Sequence, residues 1–128
     1  MGQGSTTLHE SPEQLTAQII DHHRAIESLM EELEAVDWYN QRVAACADEE
    51  LKAILAHNRD EEKEHAAMLL EWLRRHDGAL DKHLRRYLYS SGSILEREHA
   101  EEANGAATAT TTSEPSLQVG SLRKGVAK

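Results

Sequence analysis

Apolar side chains recur every three or four residues along two long stretches of this chain, which is the pattern of amphipathic α-helices. The pattern predicts a first helix from about Pro12 to about Ala44 and a second from about Asp48 to about His76. Residues 11–14 (SPEQ) have the form of a capping box with proline at the first helical position, which favours a helix start there. Because the two helices are joined by only a few residues, we expect a long antiparallel hairpin.

The chain after the second helix is predicted to contain shorter helical pieces. Asp77-Gly78 ends the second helix, and a short third helix is expected near Leu80 to Tyr89. Ser93 to Glu96 resembles another capping box, which predicts a fragment ending near Glu102.

Composition divides the chain into four parts. Residues 1–10 are polar and are expected to form a flexible N-terminus, and residues 11–103 form the helical domain. Residues 104–115 are rich in Ala, Thr and Ser and read as a linker. Residues 116–128 differ from the linker, because aliphatic side chains return and three basic residues occur without an acid.

The first helix presents two candidate apolar surfaces. The more continuous one is interpreted as the seam of the hairpin, and it consists of Leu15, Ile19, Ile26, Leu29, Leu33 and Val36. The second is half apolar, as expected of a subunit interface, and it places Glu32 beside Ala25, Val36, Tyr39 and Val43. On the second helix the apolar stripe consists of Leu51, Leu55, Leu69, Trp72 and Leu73.

A lone hairpin of this length has too little core. Two helices of roughly 30 residues are about 45 Å long but bury only one seam. Association of two hairpins into a four-helix bundle is the expected remedy. The predicted fold class is therefore all-α, a two-helix hairpin with a short C-terminal helix that dimerises.

Charge and cysteine content exclude several classes of function. The chain has 128 residues with 23 acidic and 14 Lys and Arg residues, a formal net charge of −9. Such a surface repels nucleic acid and anionic membranes and attracts cations. The single cysteine, Cys46, excludes an intrachain disulfide and a cysteine-based zinc cluster. No apolar run is long enough to span a membrane and no signal peptide is visible, which favours the cytoplasm.

An E-x-x-H motif lies at the centre of the apolar stripe of the second helix. Glu62 and His65 are one turn apart, so both side chains can reach one metal ion. Two ionisable groups on a buried face are costly unless something compensates, and a metal ion does so. Ferritin-like di-iron bundles take one Glu from each of two helices and E-x-x-H from each of two others. With Glu32, one chain supplies half of such a site, and a dimer would complete it.

Other readings of these residues remain open. Glu62 and His65 could form a buried acid–imidazole pair, and Glu32 could be a solvated acid. Glu31 and Glu34 are three residues apart and fit ordinary surface charge equally well. The adjacent pair His22-His23 is interpreted as structural or solvent-facing.

Three blocks of sequence resemble the encapsulated ferritins, the ferritin-like cargo proteins of encapsulin nanocompartments. They are residues 30–39 (MEELEAVDWY), residues 54–68 (ILAHNRDEEKEHAAM) and residues 71–75 (EWLRR). Residues 117–123 (LQVGSLR) also resemble the cargo-loading peptide that binds inside encapsulin shells. The likeness in the helical region covers about residues 12–90.

The resemblance implies a ring-shaped homodecamer of five dimers with a ferroxidase site between two chains. Glu32, Glu62 and His65 match the iron ligands of that family, and Tyr39 matches a residue beside them. Such a protein oxidises Fe(II) to Fe(III) and leaves mineral storage to the shell.

The resemblance also implies an outer, metal-attracting site and a shell partner. Glu31 and Glu34 match its carboxylates, with Trp38 nearby, and calcium or other divalent cations suit such a site. Residues 117–123 would bind the encapsulin shell protein, which places the chain inside a nanocompartment in the cytoplasm.

Two other classes of function are alternatives. The chain could be a non-catalytic helical scaffold whose acids bind divalent cations. It could also be another dinuclear carboxylate enzyme, such as a manganese catalase or a rubrerythrin-like peroxidase, although rubrerythrins usually need a Cys-rich iron domain that one cysteine cannot form.

Overall fold

The computed structural model describes residues 8–105, and these residues form helices and no strands. A 3₁₀ turn, Pro12–Gln14, precedes helix α1, Ala17–Ala45, and helix α2, Glu49–Arg75, follows. Helix α3 is Gly78–Tyr87, and residues 94–105 are also helical. The predicted all-α fold with a long hairpin and a short third helix is confirmed.

The first helix begins later than the capping box predicts. The Ser11 hydroxyl donates a hydrogen bond to the Glu13 carboxylate and does not cap a helix, and the backbone of Leu15 is extended. The N-cap is Thr16, whose hydroxyl accepts from the backbone N–H of Ile19 at 3.2 Å. The expected start at Pro12 is therefore wrong, because the proline nucleates only a single 3₁₀ turn.

The ends of the other helices follow the sequence closely. The Asp48 carboxylate accepts from the N–H of Leu51 at 2.8 Å and caps α2 as predicted. The Asp77 carboxylate accepts from the N–H of Leu80 at 3.0 Å at the start of α3. Only three residues, 46–48, separate α1 from α2, so the two helices run antiparallel side by side.

The seam between α1 and α2 lies on the surface expected to be a subunit interface. Ala25 is buried there at 8% exposure, opposite a seam on α2 that buries Ala66 and Leu73. Two small alanines let the helices approach closely, and Glu32 on the same surface contacts His65 of α2. The seam proposed from the sequence is therefore wrong for half of its members, although Leu15, Leu29 and Val36 are half-buried.

The other half of that stripe is left uncovered in the single chain. Ile19, Ile26 and Leu33 stand at seven-residue intervals, and Leu33 is 54% exposed. Helix α2 likewise exposes Leu51, Ile54 and Met68. Uncovered large apolar side chains on both helices mark a surface suited to association.

Ionic hydrogen bonds join the end of α2 to α3. The Arg74 guanidinium donates to both carboxylate oxygens of Glu71, at 2.7 and 2.8 Å, and to the carboxylate of Asp81. Arg75 adds a bond of 2.6 Å to Glu71. These bonds lower the pKa of Glu71 to about 2. The bond from Arg74 to Asp81 joins the end of α2 to the first turn of α3.

The chain divides into two units between Leu84 and Arg85. In the second unit, Ser93 accepts from the N–H of Glu96 at 3.2 Å, as its capping-box sequence predicts. The helical segment runs to residue 105, slightly beyond the predicted end. Residues 1–7, the linker after residue 105 and the terminal peptide 116–128 lie outside the described residues. No helix within the described range has the length and apolar character needed to cross a membrane.

Ala25→Leu tests the position of the seam. The larger side chain must force α1 away from α2, so the free energy of unfolding should fall by about 1–3 kcal/mol. Ala44→Leu, at an exposed position of the same helix, should cost little. Chemical denaturation followed by circular dichroism measures both variants, and equal costs would contradict this seam.

Glu71→Gln tests the α2–α3 network through its pH dependence. The pKa of Glu71 is about 2 in the folded chain, below its ordinary value of 4.5. Its stabilisation is therefore present above pH 4.5 and is lost as the pH falls towards 2. The variant should melt below the wild type at pH 7, and the gap should narrow below pH 4.5. Glu64→Gln, an exposed acid on the same helix, serves as the control, and a gap independent of pH would contradict the network.

Candidate metal centre

Three side chains from two helices meet at the middle of the hairpin. His65 Nδ1 lies 3.4 Å from a carboxylate oxygen of Glu62 and 3.5 Å from one of Glu32. One ligating atom from each residue lies within 4.8 Å of the other two. Glu62 and His65 face the same way because they are one turn apart on α2, and Glu32 reaches them across the seam. The sequence predicted each of these residues, and the structure brings all three together.

The trio sits at the open edge of the seam. The side chains of Glu32 and Glu62 are each 25% exposed and that of His65 is 44% exposed. The sequence placed Glu62 and His65 at the centre of a buried face, and in the single chain they are only half-buried. Their outer sides can therefore still accept a further ligand or a second chain.

The electrostatics of the centre match a site that holds protons in place of a cation. A hydrogen bond with Glu62, followed by partial burial and by the charge of Glu62, raises the pKa of Glu32. Partial burial alone would lower the pKa of His65, but hydrogen bonds and the charges of Glu62 and Glu32 raise it overall. Glu32 and His65 thus retain protons more readily than free side chains do. A divalent cation would replace those protons and remove the repulsion between the two carboxylates.

The donor set limits which cations fit. Two carboxylates and one imidazole suit Fe(II), Mn(II) or Zn(II) better than Ca(II), which prefers six to eight oxygen ligands. Among residues 8–105, Glu32, Glu62 and His65 are the only such group of three or more. Three ligands leave open positions around a six-coordinate ion, which is where an oxidant, water or another side chain binds.

Tyr39 lies on the seam surface of α1, two turns beyond Glu32. Its ring is half-buried, and the Arg42 guanidinium stands over it with its carbon 5.3 Å from the ring centroid. The same guanidinium lies 6.0 Å from the Trp38 ring. Arg42 was not among the residues predicted from the sequence, although its spacing of three and four residues from the two aromatic rings is the signal that identifies it.

Glu31 and Glu34 do not join the trio. At 100° per residue they project away from the seam, and Glu31 is exposed while Glu34 is half-buried. Trp38 shares that side of α1 and is 42% exposed. The structure therefore keeps these two carboxylates separate from the centre formed by Glu32, Glu62 and His65.

The two histidines near the start of α1 have different roles. His23 pairs with Glu27, one turn further along α1, at 3.2 Å. His22 is structural, as predicted: its Nδ1 lies 2.8 Å from the backbone carbonyl oxygen of Gln18 and its Nε2 lies 3.1 Å from that of His76. Its ring also packs edge-on against Trp72, with the centroids 5.5 Å apart.

Named relatives cover most of this chain. An encapsulated ferritin-like protein of Rhodospirillum rubrum is 54% identical in an alignment of 129 positions, which covers 96% of this chain and 92% of that protein. A ferritin-like protein of Thermotoga maritima is 52% identical over 80% of this chain and 88% of its own length. An encapsulin nanocompartment cargo protein, EncC of Myxococcus xanthus, is 40% identical over 73% of this chain and 77% of its own.

A solved structure agrees with the fold. The crystal structure of protein ne0167 from Nitrosomonas europaea superposes with a TM-score of 0.66 at 66% identity, over 68% of this chain and 96% of that one. The sequence profile of the EncFtn-like family matches residues 7–91, a range that contains both long helices and the three residues of the centre. The chain belongs to the EncFtn-like family, the encapsulated ferritins.

Proposed function

We propose that this protein is a ferroxidase, which oxidises Fe(II) to Fe(III) at a di-iron site shared by two chains. The observation that carries the proposal is the meeting of Glu32, Glu62 and His65 at one point on the edge of the hairpin. Membership of the encapsulated ferritins supports iron as the substrate over the other cations that this donor set accepts.

The need for a second chain follows from the ligand count and from the uncovered surface. One chain offers two carboxylates and one imidazole, which is half of the set used by ferritin-like di-iron bundles. Both long helices also expose large apolar residues that a partner hairpin would cover, Ile26 and Met68 among them. A twofold pair would bring four carboxylates and two imidazoles together inside a four-helix bundle. Five such dimers in a ring are the assembly that the family resemblance implies.

Each residue of the centre has a distinct chemical task. Glu32 and Glu62 bind Fe(II) through oxygen, and hard anionic ligands stabilise Fe(III) more than Fe(II), which favours loss of an electron to dioxygen. Carboxylates also change between one- and two-oxygen binding, so that the Fe(III) product can leave. His65 binds only with a free ring nitrogen, so substrate binding must release protons and should weaken as the pH falls. Tyr39 is proposed to line the same site.

A second group of carboxylates is proposed to attract iron towards the centre. Glu31 and Glu34, with Trp38 beside them, lie on the side of α1 that faces away from the seam. Carboxylates at that position would raise the local concentration of divalent cations without taking part in the oxidation. Calcium could occupy this outer site, since carboxylate oxygens are its preferred ligands.

The place of action is proposed to be the interior of an encapsulin shell. Two of the relatives are named as encapsulated or as encapsulin cargo. Residues 117–123, which lie outside the described part of the chain, carry three aliphatic side chains among glycine, serine and a basic residue. Many weak contacts from several tails to a many-copy shell would give strong retention.

Glu62→Gln tests the centre against a neighbouring acid. Loss of a ligand oxygen should lower the initial rate of Fe(II) oxidation by about tenfold or more, since even the outer partners of metal ligands often contribute tenfold. Glu61→Gln removes the adjacent exposed acid and should keep the wild-type rate. Stopped-flow absorbance of Fe(III) formation, with assembly state checked by gel filtration, measures both. His65→Ala added to Glu62→Gln should cost little more, because the two act as one unit.

Equal rates for Glu61→Gln and Glu62→Gln would contradict a site at the trio. Normal oxygen consumption by Glu62→Gln would favour the alternative function, a non-catalytic helical scaffold whose acids bind divalent cations. Faster peroxide breakdown with Mn(II) than oxidation of Fe(II) would assign the centre to a manganese catalase.

Deletion of residues 116–128 tests the proposed shell-binding peptide. The truncated chain keeps every residue of the centre, so its ferroxidase rate should be unchanged. Loading into a co-expressed encapsulin shell should be lost, because the aliphatic side chains that fill the shell pockets are gone. Co-purification with intact shells is the measurement. Wild-type loading of the truncated chain would show that this peptide does not direct the protein into the shell.

A further inference from the structure

A polar contact between α1 and α2 lies on each side of the metal centre. Arg59 of α2 donates from Nη1 to Asn40 Oδ1 of α1 at 3.2 Å. His22 of α1 has Nε2 3.1 Å from the carbonyl oxygen of His76, at the C-terminus of α2. Both join α1 directly to α2.

Their positions bracket the centre along the helix axis. Asn40 is eight residues after Glu32, and Arg59 is three residues before Glu62. On the other side His22 is ten residues before Glu32. The trio therefore lies between two points at which α1 is tied to α2.

The centre needs such support when it holds no cation. It brings the carboxylates of two acids from opposite helices within 4.8 Å of each other. All three side chains are partly exposed, so their mutual contacts hold α1 and α2 together only weakly, and the seam around them contains few fully buried apolar side chains. The polar contacts that flank the trio add to the hold of one helix on the other.

The side chain of Arg59 is itself held in place by a neighbouring carboxylate. Its Nε donates to the Asp60 carboxylate at 3.1 Å, and the same carboxylate accepts from Lys63 at 3.2 Å. The side chain is only 23% exposed, which is low for an arginine on a two-helix hairpin. A guanidinium fixed on one side by Asp60 has fewer conformations to lose when it bonds Asn40.

We propose that Arg59 is a positioning residue, which through Asn40 holds Glu32 within reach of Glu62 and His65 before a cation binds. The proposal rests on the proposed function of the trio. The apparent affinity of a site is proportional to the fraction of molecules in which the site is formed. A hairpin that opens at this point must therefore bind cations less tightly. Once a cation is bound by the three ligands, the cation itself holds Glu32 of α1 close to Glu62 and His65 of α2. The bridge should therefore affect affinity much more than the saturated rate.

Cobalt(II) serves as the probe, because its visible absorption reports both binding and ligand geometry. Arg59→Ala and Asn40→Ala, each in the full-length chain, should bind Co(II) about five- to tenfold more weakly at a temperature well below their melting points. Fe(II) oxidation should show a similar rise in KM with kcat within twofold of the wild type. The double variant should be no weaker than either single one, because both remove the same bond.

Two further variants separate positioning from general stability. Asn40→Asp keeps an acceptor oxygen for Arg59 and should restore wild-type Co(II) affinity. Arg24→Ala removes an arginine whose partner, Asp21, lies on the same helix, and it should change nothing at the centre. His22→Phe keeps a ring against Trp72 but removes the polar contacts with His76 and Gln18, and it should weaken Co(II) binding as the Arg59 variant does.

Hydrogen exchange of the cation-free chain tests the bridge independently of metal chemistry. Backbone amides of residues 30–36 should exchange about five- to tenfold faster in Arg59→Ala than in the wild type or in Arg24→Ala. Unchanged exchange would overturn the proposal, as would faster exchange with unaltered Co(II) affinity, which would make the bridge purely structural. A wild type that binds no Co(II) at the trio would instead refute the proposed function, and the exchange result would still decide the role of Arg59.

Discussion

The meeting of two carboxylates and an imidazole across a seam only two helices thick is the constraint on which this structure depends. Glu32 and Glu62 come from different helices and meet at one edge, where His65 stands between them. In an ordinary core such a pair would be replaced by apolar side chains. Here a polar trio stands at the middle of the hairpin beside the buried Ala66, and polar contacts join α1 to α2 on either side of it.

The thinness of the hairpin and the partial exposure of the centre have a common consequence. Among residues 8–105 few side chains are buried, several large aliphatic ones are exposed, and the three residues of the centre are partly exposed as well. A partner hairpin would bury the aliphatic residues and supply the missing ligands in one step. On this account stability and metal chemistry are coupled, since assembly completes both.

Much of the fold could be predicted from sequence because helix ends are local. The caps at Asp48 and Ser93 depend on side chains within three residues, and both are as expected. The predicted start of α1 was wrong because the 3₁₀ turn at Pro12 and the extended backbone of Leu15 interrupt the helix. Periodicity along one helix does not reveal how strongly a short-range competitor such as the Ser11–Glu13 bond acts.

The choice of seam could not be made from α1 alone. Two surfaces of that helix carry apolar residues, and the larger stripe, with Ile26 and Leu33, was the natural choice. The structure selects the smaller one because Ala25 permits close approach and Glu32 has partners on α2. The E-x-x-H spacing was enough to find Glu62 and His65. The bridge from Arg59 to Asn40 joins residues nineteen apart, and it could be found only once the hairpin register was known.

The most direct test of a centre shared by two chains is native mass spectrometry after anaerobic addition of Fe(II). It should show iron held in pairs by dimers or larger even-numbered assemblies. The monomer, obtained with a charged residue at Ile26, should hold none, and Glu62→Gln should abolish the pairs. A monomer that retains iron in a Glu62-dependent way would contradict the account, because one hairpin would then be sufficient.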